Sequence, residues 1–385
     1  MPAMEREHVL PGHLTVRSVD IPAGFAEAIR RSLSGAPTDR TGPVRGRVTV
    51  LAAGDGRARR RPERAALTGD AGDGVVASRH AAGLVVEDGP GWSLLTGEIA
   101  DLTVEVGSGT PGWRVIRDVL RPAVQVAGID AGTVVAHAAS VELAGRGILL
   151  AGWSESGKTE TALALSEDGA LFLGDKWTVI WRDDAGGVTW TAPFPNRVGV
   201  RSWVVPWLPK LAVGLPGGRR LRLRTAERLA PAARWVAKGA RGSRIADAIL
   251  APAADTATLA DTIRLSAEDI RAAQSGDVAA PAESRLDTVV LLTTIEPGDD
   301  PSIDTVAAAD VAGELARSAA YERRRYHLLG ERAAFLGVRV VPGFDIVARE
   351  ARAIERLLGD VRVLRLRSPF PGDPTIAARL IRSAL

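Results

Sequence analysis

Cysteine is absent from this 385-residue chain, which excludes disulfides, thiolate zinc sites and cysteine nucleophiles. The absence fits a reducing compartment without demanding one. Lysine is almost as scarce: it occurs only at Lys158, Lys176, Lys210 and Lys238, so nearly all positive charge is arginine. Two of those lysines fall in one short segment, which makes them informative. The five histidines, His8, His13, His80, His137 and His327, show no close metal-ligand spacing. The formal net charge is only +3, with a pI near 9.6, too small an excess to argue for a nucleic-acid partner. Apolar stretches are broken by charge or glycine before a membrane-spanning length, so no membrane partner is expected and a cytoplasmic location is the default expectation. Residues 1–10 carry Glu5 and Glu7 and no apolar run, and do not read as a signal peptide.

What is present is an ordinary globular balance, 46% apolar and 25% charged residues, in a chain long enough for two compact domains. Residues 14–106 read as short strands between turn residues, at 47–51, 74–77, 83–87, 92–95 and 99–106. Between the first two lies a Gly-, Asp- and Arg-rich segment, 55–73, with Arg59, Arg60 and Arg61; a solvated loop is favoured there over an anion-binding one. A helix is expected at 113–126, kinked or ended by Pro122. From about residue 132 longer apolar strands alternate with helices, as in an α/β layer: strands at 147–151 and 170–174 flank a helix at 158–165. A hairpin is expected from 177–181 and 188–191 around the turn 182–187. Residues 206–284 are rich in Pro, Gly, Ala and Arg and read either as a lid or insertion or as surface loops. A strand at 286–293, a helix at 306–320, a helix at 345–358, a strand at 362–366 and a helix at 375–385 complete the layer. In the second of those helices Val347, Ala351, Ile354 and Leu358 share one face that should pack on a sheet. The expected division is therefore 1–130, mostly β, and 131–385, carrying the chemistry.

The chemistry is carried by Gly152-Trp153-Ser154-Glu155-Ser156-Gly157-Lys158-Thr159, which matches the Walker A pattern G-x-x-x-x-G-K-[ST]. It sits after a buried strand and at the start of a helix, as a P-loop requires. Glycines let the backbone curl so that successive N–H groups point at phosphate oxygens, and the helix amino terminus adds partial positive charge. Lys158 would bridge the β- and γ-phosphates of ATP, and Thr159 would present its hydroxyl to Mg²⁺. The competing reading is a glycine-rich turn with a solvated lysine, an unfavourable place for a cation at a helix amino terminus. Asp175, at the end of the next strand and sixteen residues beyond Thr159, is a carboxylate able to hold metal or water or to accept a hydroxyl proton. His137 precedes the P-loop strand; an isolated histidine on an apolar stretch is usually structural.

The segment HAASVELAGRGILLAGWSESGKTETALALSEDGALFLGDKWTVI, residues 137–180, resembles the catalytic core of the HPr serine kinase/phosphorylase family, related in fold to phosphoenolpyruvate carboxykinase. The likeness covers a little over a tenth of the chain. It includes the upstream histidine, Gly145 and Gly147 before the strand, the run from Gly157 to Leu163 containing Glu160, and the strand ending in aspartate. The resemblance implies an α/β P-loop fold, a mixed sheet with flanking helices like the HPr kinase carboxyl-terminal domain, here preceded by the small mostly β domain. It implies that Asp175 is the base toward the acceptor hydroxyl, that His137 lies beside it, and that Glu160 joins Thr159 and Asp175 near the metal. Arg197, in Pro195-Asn196-Arg197-Val198-Gly199-Val200, loosely resembles the arginine of the family's R-G-x-G-[IV] segment and is the further catalytic candidate.

Two departures stand out. The family usually has two adjacent aspartates where this chain has Asp175-Lys176, and Glu155 replaces a loop glycine, so its charge has to point away from phosphate. No family sequence follows Arg201, so the acceptor is not inherited with the resemblance. The expected activity is ATP- and Mg²⁺-dependent transfer of phosphate to a hydroxyl of a protein, peptide, small-molecule or carbohydrate acceptor. A non-catalytic nucleotide-binding regulator and a phosphatase or phosphorylase working in reverse are the alternatives, and homo-oligomer formation is left open.

Overall fold

Strict alternation organises the first sheet: in Gly46–Ala52, Val48 and Val50 are fully buried while Arg47 and Thr49 are not. The computed structural model describes residues 5–33, 43–52, 75–88, 91–107, 109–183, 187–218, 262–276 and 283–385, together with 279 and 281. The first seven strands are β1 (Glu5–Leu10), β2 (Leu14–Val19), β3 (Gly46–Ala52), β4 (Val75–His80), β5 (Gly83–Asp88), β6 (Gly91–Glu98) and β7 (Asp101–Val106). They form one sheet in the order β1-β2-β3-β7-β6-β5-β4. β2, β3 and β7 run parallel and the other pairings are antiparallel. Parallel β2 and β3 need a crossover, supplied by α1 (Ala23–Leu33). Expecting only strands in this region misses that helix. Its burying residues, Phe25, Ala26, Ile29 and Leu33, do recur at helical spacing, but Pro22 and Gly24 read as turn residues. The expected strand at 99–106 begins instead at Asp101, because Ile99 and Ala100 make the turn from β6. The arginine-rich loop at 55–73 lies outside the described residues.

A helical path of α2 (Gly112–Val115), a wide π turn (Ile116–Leu120) and α3 (Arg121–Ala127) leads to the second sheet. Pro122 does not end it. The Arg121 amide reaches back five residues to the Ile116 carbonyl, and the widened turn places proline in the opening turn of α3, where a missing amide costs nothing.

The second sheet is built from β8 (Thr133–Ala136), β9 (Ala138–Leu143), β10 (Arg146–Gly152), β11 (Leu171–Gly174), β12 (Thr178–Arg182), β13 (Thr189–Pro193), β16 (Ser284–Ile295), β17 (Ser302–Thr305) and β18 (Arg362–Pro369), while β14 (Val198–Arg201) and β15 (Thr262–Leu265) form a separate ribbon. Its order is β11-β9-β10-β16-β13-β12-β8, with β18 also on β16 and β17 on β18. β10, β16 and β18 are parallel, and the expected hairpin is present as antiparallel β12 and β13. Among the described residues the helices that follow α3 are α4 (Lys158–Glu167), α5 (Pro209–Gly214), α6 (Ala267–Ser275), α7 (Ala308–Glu322), α8 (Arg324–Phe335), α9 (Ile346–Leu357) and α10 (Pro374–Ala384). Both faces of the sheet are covered, which is why β10 is continuously apolar. Ile148 and Leu150 point into a cluster with Leu163 of α4 and Ile381 of α10. Leu149 and Ala151 point the other way, into a cluster with Leu315 of α7 and Ile354 of α9. The chain is thus α/β, with mixed sheets and flanking helices. Among the described residues no helix is long and apolar enough to cross a membrane. Most of the expected lid or insertion, 219–261, lies outside the described residues; its flanks form α5, β15 and α6.

Helix α8 was not expected, whereas the expected face of α9 does pack on the core. Ile354 and Leu358 are buried, Val347 and Ala351 are half-buried against the same cluster, and the stripe widens to take in Ile346, Glu350, Ala353 and Leu357. Within that stripe Glu350 forms an ion pair with Arg323 at the α7–α8 junction, both side chains being essentially fully buried. Removing one partner of such a pair strands the other charge in the interior. Arg323→Met should therefore cost about 3–5 kcal/mol in urea unfolding, and adding Glu350→Leu should recover most of it; equal losses in the single and double variants would show that the pair has no such role.

Candidate functional site

The carboxyl ends of parallel β10 and β16 define an edge at which the chain leaves β10, curls through Trp153–Gly157 and enters α4. The curl requires glycine at its ends. Gly152 has φ +150°, and an added Cβ would lie 2.5 Å from Ser156 Oγ and 2.7 Å from the Leu292 carbonyl oxygen. Gly157, at φ +87°, caps α4, and no side chain satisfies the first-turn amides. Glu155 holds the left-handed conformation (φ 62°) expected where the resemblance places glycine, at a cost of about 1 kcal/mol. Its carboxylate turns outward to Arg201 at 2.9 Å and is two-thirds exposed, so it does not crowd the concave side. Ser156 Oγ is buried there with no hydrogen-bond partner among the described residues. Uncapped amides and a buried, unpaired hydroxyl together complement an anion rich in acceptors.

Lys158 folds back into this curl. Its Nζ donates to the Gly152 and Trp153 carbonyl oxygens at 3.1 and 2.5 Å, and the residue is 6% exposed. Burial lowers its pKa to about 8, against the opposing pull of Asp175, Glu322 and Glu160. The Gly152 carbonyl also accepts from Ser318 Oγ at 2.8 Å, and Ser318 Oγ lies 2.9 Å from His137 Nδ1. With the serine proton used on Gly152, the network assigns the imidazole proton to Nδ1. His137 packs against Trp177, and burial, with Lys158, Lys176 and Arg323 adding to it, lowers its pKa to about 2. It is therefore neutral, and its visible task is to orient Ser318 and the strand end.

Asp175, just past β11, is buried and accepts a hydrogen bond from Thr159 Oγ1 at 2.9 Å on its Oδ2. Burial raises its pKa, while the Thr159 bond, the Lys176 amide and the charges of Lys158 and Lys176 oppose the rise. Burial likewise raises Glu160, on the first turn of α4. Among the described residues no cluster of three His, Cys, Asp or Glu side chains could hold a metal by itself. Thr159 and Asp175 suit an ion that draws its remaining ligands from water and a bound anion, as Mg²⁺ commonly does. Lys176 sits at φ 73° and turns half-exposed toward Glu322 of α7 at 3.5 Å.

The structure thus gathers Gly152–Thr159, Glu160, Asp175 and His137 at one strand edge. Arg197 is not joined to them by any bond among the described residues: its side chain is exposed before β14, and its carbonyl accepts from Asn196. Sequence reasoning did not single out Ser318, Glu322 or Arg201, although a serine amid Leu315, Ala316 and Ala319 on the buried face of α7 is a detectable signal. Beside the loop, half-exposed Trp153 packs on Tyr321 with ring centroids 5.0 Å apart. A cavity of about 340 Å³ adjoins it, bordered by Ser154, Ser156, Thr293, Thr294 and Arg317.

No family model and no curated protein matches the chain. Among solved structures it is similar to the Hpr(Ser) kinase/phosphatase from Coxiella burnetii, with 12% identity and a TM-score of 0.27 over 65% of this chain and 95% of that one.

The position of Lys158 makes a prediction about stability. Between about 8 and 10.5 the unfolded chain keeps a proton that the native lysine has lost, so native stability rises with pH across that window and the advantage is lost as pH falls through about 8. Urea unfolding at pH 7 and pH 10 should show wild type gaining about 2 kcal/mol relative to Lys158→Met; parallel pH profiles of the two proteins would contradict the burial of Lys158.

Proposed function

We propose that the chain is an ATP- and Mg²⁺-dependent phosphotransferase, similar in mechanism to HPr serine kinases, acting on a hydroxyl of a protein, peptide or small-molecule acceptor. The observation that carries this reading is the junction of the β10–α4 curl with Asp175: uncapped amides and a buried lysine sit one hydrogen bond, through Thr159, from a buried carboxylate. Phosphoryl transfer asks mainly for positioning and charge stabilisation, and those are what this junction supplies.

In the proposed reaction the loop amides and Ser156 Oγ hold phosphate oxygens, and Lys158 exchanges the Gly152 and Trp153 carbonyls for the β- and γ-phosphates. Magnesium, held through Thr159 and Asp175 with Glu160 nearby, would neutralise charge between those phosphates. Asp175, whose burial favours proton uptake, accepts the proton of the acceptor hydroxyl as its oxygen attacks phosphorus; the bond from phosphorus to the β-phosphate oxygen breaks, and ADP leaves. His137 and Ser318 fix the carbonyl of Gly152 and so the shape of the loop. The cavity next to Trp153 and Tyr321 leaves room for the nucleoside or the acceptor.

Lys158→Ala is expected to abolish the calorimetric heat of Mg–ATP binding. Asp175→Asn should bind nucleotide within a few-fold of wild type yet transfer phosphate about a hundredfold more slowly or worse; full turnover in Asp175→Asn would remove it as the base. A nucleotide-binding regulator without transfer, suggested by Lys176 standing where the resemblance expects a second aspartate, is rejected by any phosphorylated product whose formation depends on Asp175.

A further inference from the structure

Next to the phosphate curl, the cavity of about 340 Å³ lies between the carboxyl end of β16 and helix α7. Trp153 gives it an aromatic wall, and that ring is 51% exposed even though it packs on Tyr321, itself 43% exposed. The hydroxyl-bearing side chains Ser154, Thr293 and Thr294 border the same space. From α7 come Glu314 and Arg317, three residues apart and so on one face of the helix. Glu314 Oε1 accepts from Arg365 at 2.6 Å, and Arg317 is exposed with no hydrogen bond or ion pair among the described residues. One flat apolar surface thus faces a set of groups that both donate and accept hydrogen bonds.

The direction of a polyphosphate in the loop decides which reactant faces this space. Loop amides cradle the α- and β-phosphates, and the P-loop lysine reaches the β- and γ-phosphates. Lys158 Nζ rests on the carbonyls of Gly152 and Trp153, and both of those residues border the cavity. The γ end therefore belongs at the end of β10, with the cavity on its β16 flank and Asp175, joined to the loop through Thr159, on its β11 flank. We propose that the cavity takes the acceptor, and that the acceptor is a small ring-shaped polyol of the carbohydrate class. The apolar C–H face of its ring lies against Trp153, and its hydroxyls meet Thr293, Glu314 and Arg317. This inference rests on the phosphotransferase reading and narrows its acceptor. The volume, at the lower end of small-molecule sites, suits a single ring. An extended peptide has little main chain to pair with here, because β16 is paired with β10 up to Leu292 and with β18 from Thr288 to Ile295. In the transfer a ring hydroxyl oxygen attacks the γ-phosphorus, its proton passes to Asp175, the bond from phosphorus to the β-phosphate oxygen breaks, and ADP leaves.

The test supplies the full-length protein with Mg–ATP labelled in the γ-phosphate and, separately, glucose, mannose, galactose, ribose, arabinose and myo-inositol, with glycerol and a serine-containing heptapeptide for comparison. At least one ring polyol should be phosphorylated with kcat/KM about tenfold or more above both comparators. Thr293→Val and Arg317→Gln, checked for unchanged melting and unchanged calorimetric affinity for Mg–ATP, should each raise KM for that polyol about five- to tenfold with kcat within about twofold. Labelled phosphate released to water or passed to the heptapeptide but to no ring polyol, or a KM untouched by both substitutions, would overturn this proposal and leave the phosphotransferase reading standing. Mg–ATP that neither binds nor depends on Lys158 would remove both.

Discussion

A lone ammonium group buried at the end of a parallel strand is the constraint around which the site is arranged. Charged groups enter protein interiors only with partners, and Lys158 finds its direct ones in two loop carbonyls rather than in a carboxylate. Carbonyl dipoles hold it in place, and burial lowers its pKa to about 8 against the pull of Asp175, Glu322 and Glu160. The curl of Gly152–Gly157, the unsatisfied Ser156 hydroxyl and the bare amides of α4 surround the same point. Each is costly alone, and the proposed polyphosphate would satisfy all of them at once.

The rest of the fold secures that arrangement. β10 is locked between β9 and β16, with side chains alternating into clusters above and below, so the strand end has little freedom. From one cluster α4 launches directly off the loop; from the other α7 delivers Ser318 to the Gly152 carbonyl and Glu322 to Lys176. The Arg323–Glu350 pair ends α7 and orients α9, tying the helix that touches the loop to the layer beneath it. Local chemistry at the edge is in this way referred to long-range packing.

What could be read from the sequence follows this distinction between local and long-range. The loop, its preceding strand and following helix are written in consecutive residues, and Asp175 is reached across one helix and one strand; these are visible without a structure. Ser318, Glu322 and Arg201 arrive from distant segments; the burial of Ser318 shows in its apolar surroundings, but their partners Gly152, Lys176 and Glu155 are not written near them. Arg197 rests on loose resemblance, and Arg201, four residues on and beyond that motif, is an arginine that pairs with Glu155 of the loop. On α9 apolar spacing reads Val347, Ala351, Ile354 and Leu358 onto the core, but not Glu350, a buried glutamate whose partner Arg323 lies outside the helix. Glu155 is instructive in the other direction. This charged residue takes a backbone conformation usual for glycine and directs its carboxylate away to Arg201.

The most direct measurement is a crystal structure of the protein grown with Mg²⁺ and a non-hydrolysable ATP analogue. The β-phosphate should lie in the curl within hydrogen-bond distance of the amides of residues 155–159, with Lys158 Nζ moved off the Gly152 carbonyl onto phosphate. Nucleotide bound elsewhere with Lys158 still on its two carbonyls, or a loop left empty at saturating nucleotide, would contradict the reading of this edge as a phosphate grip.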